Sequence, residues 1–390
     1  MSALNFDVLV VGAGPAGSAA AAALATSGRS VVLIDAAVHP RPKACAEYAS
    51  PRIAEELRWL GLRDERWMPD ALPLRGMRVV RGADAVDVVY EDRGGPRHAW
   101  GVERTRFDAA LAALAVERGA QLHERTRFGG AAFDGERWRV SIAGPREPRE
   151  VRARWLVGAD GARSRVARQL GVERFVRAPL RIGLVAHYQA VPGLEDHGEM
   201  HVGRSHYVGL APLPGSRLNV GMALPVGARG GAQARFAAAI EQLPAVARLL
   251  DGSRRLTPIR GASPIGHRVS RTAGPGWMLI GDAAGFIDPF TGEGIFRALR
   301  SARCLAEALA AGDAGAEERY RAARRAAFAA KDALTWTVQG MLAAPPVMGY
   351  ALRRLAARPA LARRLGSALG DCRPATDALS PAFLAGLLRP

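Results

Sequence analysis

The stretch FDVLVVGAGPAGSAAAAALATSGRSVVLID, residues 6–35, decides the fold. Val8 to Val11 form an unbroken aliphatic run, the pattern of a parallel strand buried on both faces. Gly12, Gly14 and Gly17 follow, then an alanine-rich helical segment from Ser18 to Leu24 that ends near Gly28. A second apolar strand, Ser30 to Ile34, closes on Asp35. Each glycine has its own task. Gly12 permits the tight strand-to-helix turn, Gly14 lets a pyrophosphate approach the backbone, and Gly17 lets helix and strand pack closely. Pro15 and Ala16 complete the GAGPAG turn, and the helix N-terminus behind it faces the phosphates. Asp35 is placed to accept hydrogen bonds from an adenosine ribose. A glycine triplet alone is weak, but strand, triplet, helix, strand and terminal acid in this order predict a Rossmann-type dinucleotide site.

Two downstream segments bear on which dinucleotide it is: WLVGADGARSRVARQLGV, residues 155–172, and WMLIGDAAGFIDPFTGEG, residues 277–294. Each begins as a short apolar strand and turns at a glycine beside an aspartate, Gly161 with Asp160 and Gly281 with Asp282. Each then enters a helix. Singly, each aspartate reads as a turn residue capping that helix. Combined with residues 6–35, Asp282 is a candidate partner for a ribityl hydroxyl or phosphate oxygen, and Asp160 a brace near the pyrophosphate.

The ordered trio GAGPAG, VGADGARS and IGDAAGFIDPFTGEGI resembles the FAD-dependent oxidoreductases of the p-hydroxybenzoate hydroxylase fold, and the likeness spans nearly the whole chain. Arg104, in VERTRFDAAL with Asp108 and Leu111 at helical spacing, matches the family's flavin-contacting arginine. RPKACAEYASP, residues 41–51, and DPFTGEGI, residues 288–295, are similar to the geranylgeranyl reductase-like branch, which implies cofactor contacts at Lys43 and Ala44 and an active-site position for Cys45. The inert alternative, a buried structural thiol, stays open for Cys45. Gly285 stands where aromatic hydroxylases usually carry histidine, Ala46 where a glycine is common, and Leu210-Ala211-Pro212 where an aromatic-rich segment is usual.

The residues of the third motif fit a flavin directly. Pro289, Gly292 and Gly294 keep bulky side chains off the loop, so its amides can approach the isoalloxazine edge and stabilise charge on the reduced ring; in that sense they are candidate catalytic positions. A helix starting near Gly294 and Ile295 adds its positive end. Glu293, counted with Gly292, Gly294 and Ile295 among the residues at the cofactor, reads as a helix-start acid rather than a proton carrier. The resemblance implies NAD(P)H as a transient electron donor, since no second Gly-x-Gly-x-x-Gly unit is present. An apolar substrate, isoprenoid-like or polyketide-like, would be acted on by C=C reduction or by hydroxylation. A strict aromatic monooxygenase and a non-redox flavin-containing cyclase are the alternatives.

The expected architecture is α/β. A discontinuous FAD-binding unit takes residues 1–77, 101–174 and 268–342, an antiparallel substrate sheet takes 78–100 and 175–267, and a helical cap takes 343–390. LRIGLVAHYQAV, GEMHVGRSHYVGLAPLP and SRLNVGMALPV read as strands, with turns at Pro192-Gly193 and Pro214-Gly215, and His187, His201, Tyr207 and Met222 are candidates for the inner face. Residues 314–342 read as one long helix. From Gly349 to Leu365, leucines and alanines alternate with Arg353, Arg354, Arg358, Arg363 and Arg364, interrupted by Pro359. That basic amphipathic face would either pack on the protein's own core or rest on a membrane surface.

Composition sets the outer bounds. The 390 residues are 49% hydrophobic and 23% charged, as in a packed globular protein. The formal charge is +17, and because Lys43 and Lys331 are the only lysines, nearly all 54 basic residues are arginines scattered along the chain. No nucleic-acid-binding signature accompanies them, so a nucleic-acid partner is not expected. Cys45, Cys304 and Cys372 are too few and too dispersed for a disulfide framework and point to a reducing cytoplasm. The histidines form no His-x-x-His pair, so no metal is expected, and no Gly-x-Ser-x-Gly elbow supports hydrolysis. The N-terminus lacks the pattern of a signal peptide, and no window is apolar enough to span a bilayer. Oligomeric state is not legible.

Overall fold

The computed structural model describes residues 4–388 apart from 146–148, 177–179, 190, 192, 195, 228 and 264. Pro192 of the expected Pro192-Gly193 turn therefore lies outside the described residues. The fold is α/β, with two large sheets and a helical C-terminal segment. The first sheet carries parallel neighbours Arg149–Gly158, Leu4–Val11, Val31–Ile34 and Gln121–His123, with Trp277–Leu279 parallel on the far side of Arg149–Gly158. Val8, Leu9 and Val10 are wholly buried, as a strand covered on both faces must be. Helix Pro15–Thr26 lies against this sheet and is buried along most of its length. Its run of alanines lets it sit close to helices Arg104–Glu117 and Gly294–Ala310.

The second sheet runs Arg260–Ala262, Arg181–Gln189, Arg217–Pro225, Tyr207–Leu213, Gly198–Val202, Gly76–Arg81, Asp84–Asp92 and Gly95–Arg97. Its pairings are antiparallel except Gly198–Val202 with Gly76–Arg81, which are parallel. Met77 lies opposite Gly198 and Val79 opposite Met200, so this sheet begins at Gly76, two residues inside the stretch expected for the FAD-binding unit.

The long helix runs Ala316–Ala343. Pro345 and Pro346 open the helix Pro345–Ala356, and the expected interruption at Pro359 is present: that helix ends at Ala356 and Pro359 opens the next, Pro359–Leu369. Proline is tolerated in a first turn because its missing N–H has no intrahelical partner there. These two helices lie on strand Asp84–Asp92, where a Cβ on Gly366 would fall 2.3 Å from the Val89 carbonyl oxygen and Ser367 Oγ accepts from Glu91 N at 3.0 Å. The arginines of the segment are largely engaged within the protein. Arg358 donates to the Gly386 carbonyl, Arg354 to Leu387 O at 3.4 Å, Arg364 to Ser380 Oγ at 3.1 Å and Arg353 to Asp84 at 2.9 Å. Among the described residues no helix is long and apolar enough to cross a membrane.

Candidate active site

Between the two sheets runs a cleft of about 710 Å³, within the range of small-molecule and cofactor sites. Its floor is built by the three motifs. Gly12 has φ +103°, and a Cβ there would lie 2.5 Å from Ala159 O; a Cβ on Gly17 would lie 1.8 Å from Gly12 O. Both glycines are thus required by the backbone packing itself, and Gly17 does not line the cleft. Gly14 differs: a Cβ would meet only Arg41 Nη2, at 3.6 Å, in otherwise open space. Gly161 and Gly294 would likewise meet nothing within 4 Å. Helix Pro15–Thr26 has no side-chain cap, which leaves first-turn amides for an anion.

The acidic residues divide by what they already hold. Asp35 accepts from Ala13 N at 2.7 Å through Oδ2 and from Ala37 N at 2.8 Å through Oδ1, which fixes it at the cleft wall with a lone pair left on each oxygen. Asp160 is bound to Ser164 Oγ (2.5 Å), Arg165 N (2.6 Å) and Val166 N (3.2 Å), so it caps the helix Arg165–Gln169 while lining the cleft. Burial raises its pKa and these hydrogen bonds oppose the rise. The Asp282 carbonyl accepts from Gly285 N at 3.1 Å, but its carboxylate makes no hydrogen bond or ion pair to the described residues and lines the cleft beside Gly281. That unpartnered carboxylate, the first-turn amides and the open positions at Gly14, Gly161 and Gly294 fit a dinucleotide whose phosphates and ribityl hydroxyls need such partners.

Lys43, Ala44, Cys45 and Arg104 meet on the opposite rim. Arg104 is 5% exposed and grips Asp108 with two hydrogen bonds, 2.7 and 2.8 Å, and its Nη1 donates to Cys45 Sγ at 3.1 Å. Its guanidinium is therefore shared between a carboxylate and the thiol. Glu47 was not legible in the sequence. It adopts φ +56°, accepts from Arg104 N at 3.0 Å and Asn219 Nδ2 at 2.9 Å, and holds His187 Nε2 at 2.6 Å. His187 is thus a strut between the Cys45 segment and the second sheet. His201 pairs with Glu199 at 2.6 Å. Neither histidine lines the cleft, whereas Tyr207 and Met222 do.

Pro289, Gly292, Gly294 and Ile295 line the end of the cleft nearest the second sheet, with Gly294 opening helix Gly294–Ala310. Asp288 at this loop accepts from Tyr207 Oη at 2.6 Å, Arg181 Nη1 at 2.6 Å and Phe290 N at 3.0 Å. Burial, then the Asp288 carboxylate, push the Tyr207 hydroxyl well above its ordinary pKa. Glu293 stands at the helix start, as expected, but does not line the cleft. It holds the N-cap position of the helix, but its side chain makes no capping bond and turns inward, away from the cleft, to Lys331 Nζ at 2.8 Å. Among the described residues no cluster of histidine, cysteine and acids is arranged to hold a metal.

Residues 5–331 match the family described as FAD binding domain. The chain is 34% identical over 319 residues to a menaquinone reductase of Mycobacterium tuberculosis, covering 78% of this chain and 76% of that protein. It is 32% identical over 333 residues to a digeranylgeranylglycerophospholipid reductase of Methanothrix thermoacetophila, covering 80% and 81% respectively. Among solved structures, a flavoprotein/dehydrogenase of Cytophaga hutchinsonii superposes with a TM-score of 0.84 at 22% identity, over 94% of this chain and 92% of that one. The chain belongs to the FAD binding domain family and is an FAD-dependent oxidoreductase.

Proposed function

We propose that the protein reduces a carbon-carbon double bond in an isoprenoid chain. The observation that carries this reading is the sheet wall of the cleft. Val185, Gly221, Gly209 and Met200 lie side by side across four strands and all line it, with Gly183, Ala262, Ile265 and Phe286 around them. Among the described residues Tyr207 is the one of this wall with a titratable side chain, and its hydroxyl is committed to Asp288. Such a wall suits a hydrocarbon chain and offers no free base to activate a phenol, which hydroxylation of an aromatic ring would need. The relatives named above, whose names denote reductases of isoprenoid-bearing molecules, support the same substrate class.

FAD in the cleft would supply, once reduced, the hydride for one carbon of the double bond. Cys45 is the candidate to give the other carbon its proton. Loss of the Sγ proton leaves a thiolate facing Arg104 Nη1 at 3.1 Å and Glu47 N at 3.4 Å, and water restores the proton. The electron donor is NAD(P)H in this reading. The side chains of Lys43, Arg127, Arg163 and Arg165 line the cleft without an ion pair among the described residues, a rim suited to phosphates.

The test is turnover of a polyprenyl substrate by purified holoprotein with NADPH under argon. The expected product is heavier by one H2, and Cys45→Ala should retain bound FAD while losing turnover about 100-fold or more. Oxygen consumption matched to substrate, with an oxygen atom in the product, would overturn the reduction reading in favour of hydroxylation.

A further inference from the structure

Beneath the flavin-side loop lies a group of charges that the proposed reaction does not use. Glu293 sits between Gly292 and Gly294, both of which line the cleft, while its own side chain is 3% exposed and points the other way. Lys331 Nζ, from helix Ala316–Ala343, lies 2.8 Å from Glu293 Oε1, 3.1 Å from Asp371 Oδ1 and 2.9 Å from each of the Ala368 and Leu369 carbonyl oxygens. An ammonium has three protons, and four oxygens surround this one. Two carboxylates therefore compete for a single lysine already drawn upon by two carbonyls.

Ser50 adds a side-chain hydrogen bond to the Asp371 carboxylate, which relieves that partner but not Glu293. Arg297 Nη1 stands 3.7 Å from Glu293 Oε2, beyond hydrogen-bond length, and Arg297 also pairs with Asp332. Arg52 donates to the backbone carbonyl of Asp371, not to its carboxylate. Tyr48 and Tyr90, bonded to each other at 2.8 Å, are neutral phenols, and Tyr48 packs against Gly292. Cys372 is a thiol whose pKa burial pushes up to about 12. Two buried carboxylates, Glu293 and Asp371, thus depend on Lys331 and on an Arg297 that is also drawn outward to Asp332, whose side chain is 41% exposed, so neither carboxylate has a cation to itself.

We propose that Glu293 is a redox-linked proton site: its carboxylate takes a proton from solvent when negative charge accumulates on the far side of Gly292 and Gly294, and returns it when that charge leaves. Two electrons and one proton arrive in the cleft as a hydride from the reduced nicotinamide or another two-electron donor. One further proton moves from water to a Glu293 carboxylate oxygen, and the only protein bond made or broken is that O–H. The direction of the Glu293 pKa agrees. Burial raises it to about 7, Lys331 opposing and Asp371 adding to the rise, which puts the site within reach of a nearby change of charge. Glu293 is a positioning and charge-balancing residue, since it does not line the cleft. The inference rests on FAD binding alone and holds whichever substrate is reduced.

The experiment is a spectroelectrochemical titration of bound FAD from about pH 5 to about pH 9 in the wild type, Glu293→Gln and Asp371→Asn. In the wild type, reduction should take up about one more proton per two electrons than in Glu293→Gln over the range where Glu293 titrates. In Asp371→Asn the extra uptake should move to lower pH, because removing the competing carboxylate favours ionised Glu293. Equal pH slopes in wild type and Glu293→Gln would overturn the proposal. If Glu293→Gln does not fold, the reduced-minus-oxidised infrared difference spectrum of the wild type decides alone. A carboxylic-acid C=O band that shifts in deuterated water is expected, and its absence refutes the idea.

Discussion

Replacing Gly14 by valine separates cofactor binding from folding. Gly14 has φ −76° and ψ −176°, extended backbone that any residue adopts, and the new Cβ would meet only Arg41 Nη2 at 3.6 Å. The folded apoprotein should therefore be unchanged or slightly more stable, by up to about 1 kcal/mol through loss of freedom in the unfolded chain. The two methyls enter the space a pyrophosphate would occupy and hold it away from at least two first-turn amides. Charged hydrogen bonds of this kind contribute about 1.5–3 kcal/mol each, so the loss is about 3–6 kcal/mol, or about 10²- to 10⁴-fold in FAD affinity. Gly17→Val is the contrasting control. Its Cβ would sit 1.8 Å from Gly12 O, so the backbone must move, at a cost of about 3 kcal/mol or more in stability. Urea denaturation of both apoproteins, with FAD titration followed by quenching of flavin fluorescence, reads the two effects apart. Wild-type FAD affinity in Gly14→Val would refute the assignment of this turn to the pyrophosphate.

Three further outcomes are expected. Asp282→Ala should weaken FAD about 10- to 100-fold without moving the urea midpoint of the apoprotein, because the carboxylate has no partner among the described residues; a lowered midpoint would mean that it has one. Tyr207→Phe should cost about 1–3 kcal/mol, since it strips a 2.6 Å bond from the fully buried Asp288 carboxylate, and an unchanged midpoint would show that Arg181 and Phe290 N suffice. His206 is buried with Nε2 3.1 Å from Ala239 O, and burial holds its pKa below the ordinary value while that carbonyl opposes. The unfolded chain thus binds the proton first, and stability contributed by neutral His206 is lost as pH falls below about 6.5, with a slope of at most about 1.4 kcal/mol per pH unit. His206→Gln should lose less stability than the wild type between about pH 7 and about pH 5, and an equal loss would assign the acid sensitivity elsewhere.

What could be read in advance was whatever depends on neighbours in sequence. The strand-turn-helix of residues 6–35 and the two later aspartate turns are local devices, and the residues they name come together along one cleft, apart from Gly17 and Glu293. Gly17 is withheld by its own packing role against Gly12, and Glu293 by a lysine thirty-odd positions later that no periodicity connects to it. Glu47 and Asn219, and the tie of His187 to Glu47, were illegible for the same reason: these bonds join segments that only the fold brings together. One signal was available. In a chain whose bases are almost all arginine, the two lysines stand out, and Lys43 lines the cleft while Lys331 holds Glu293. A compact ammonium with three protons suits a site that an always-charged planar guanidinium would overfill. The interruption at Pro359 was legible because a proline cannot continue a helix yet can open one.

Where Gly209, Gly221 and, one row further along, Gly183 leave the second sheet without side chains, Met200, Ala46 and Ile265 close in to 3.3, 3.4 and 3.2 Å of where a Cβ would stand. In the reaction proposed above, a hydrocarbon tail would lie along a strip of small and aliphatic groups, where width and flatness rather than sockets govern admission. Leucine in place of Gly209 would displace the Met200 side chain, 3.3 Å from the new Cβ, and narrow that strip, so a polyprenyl substrate should give a shorter series of reduced products by mass.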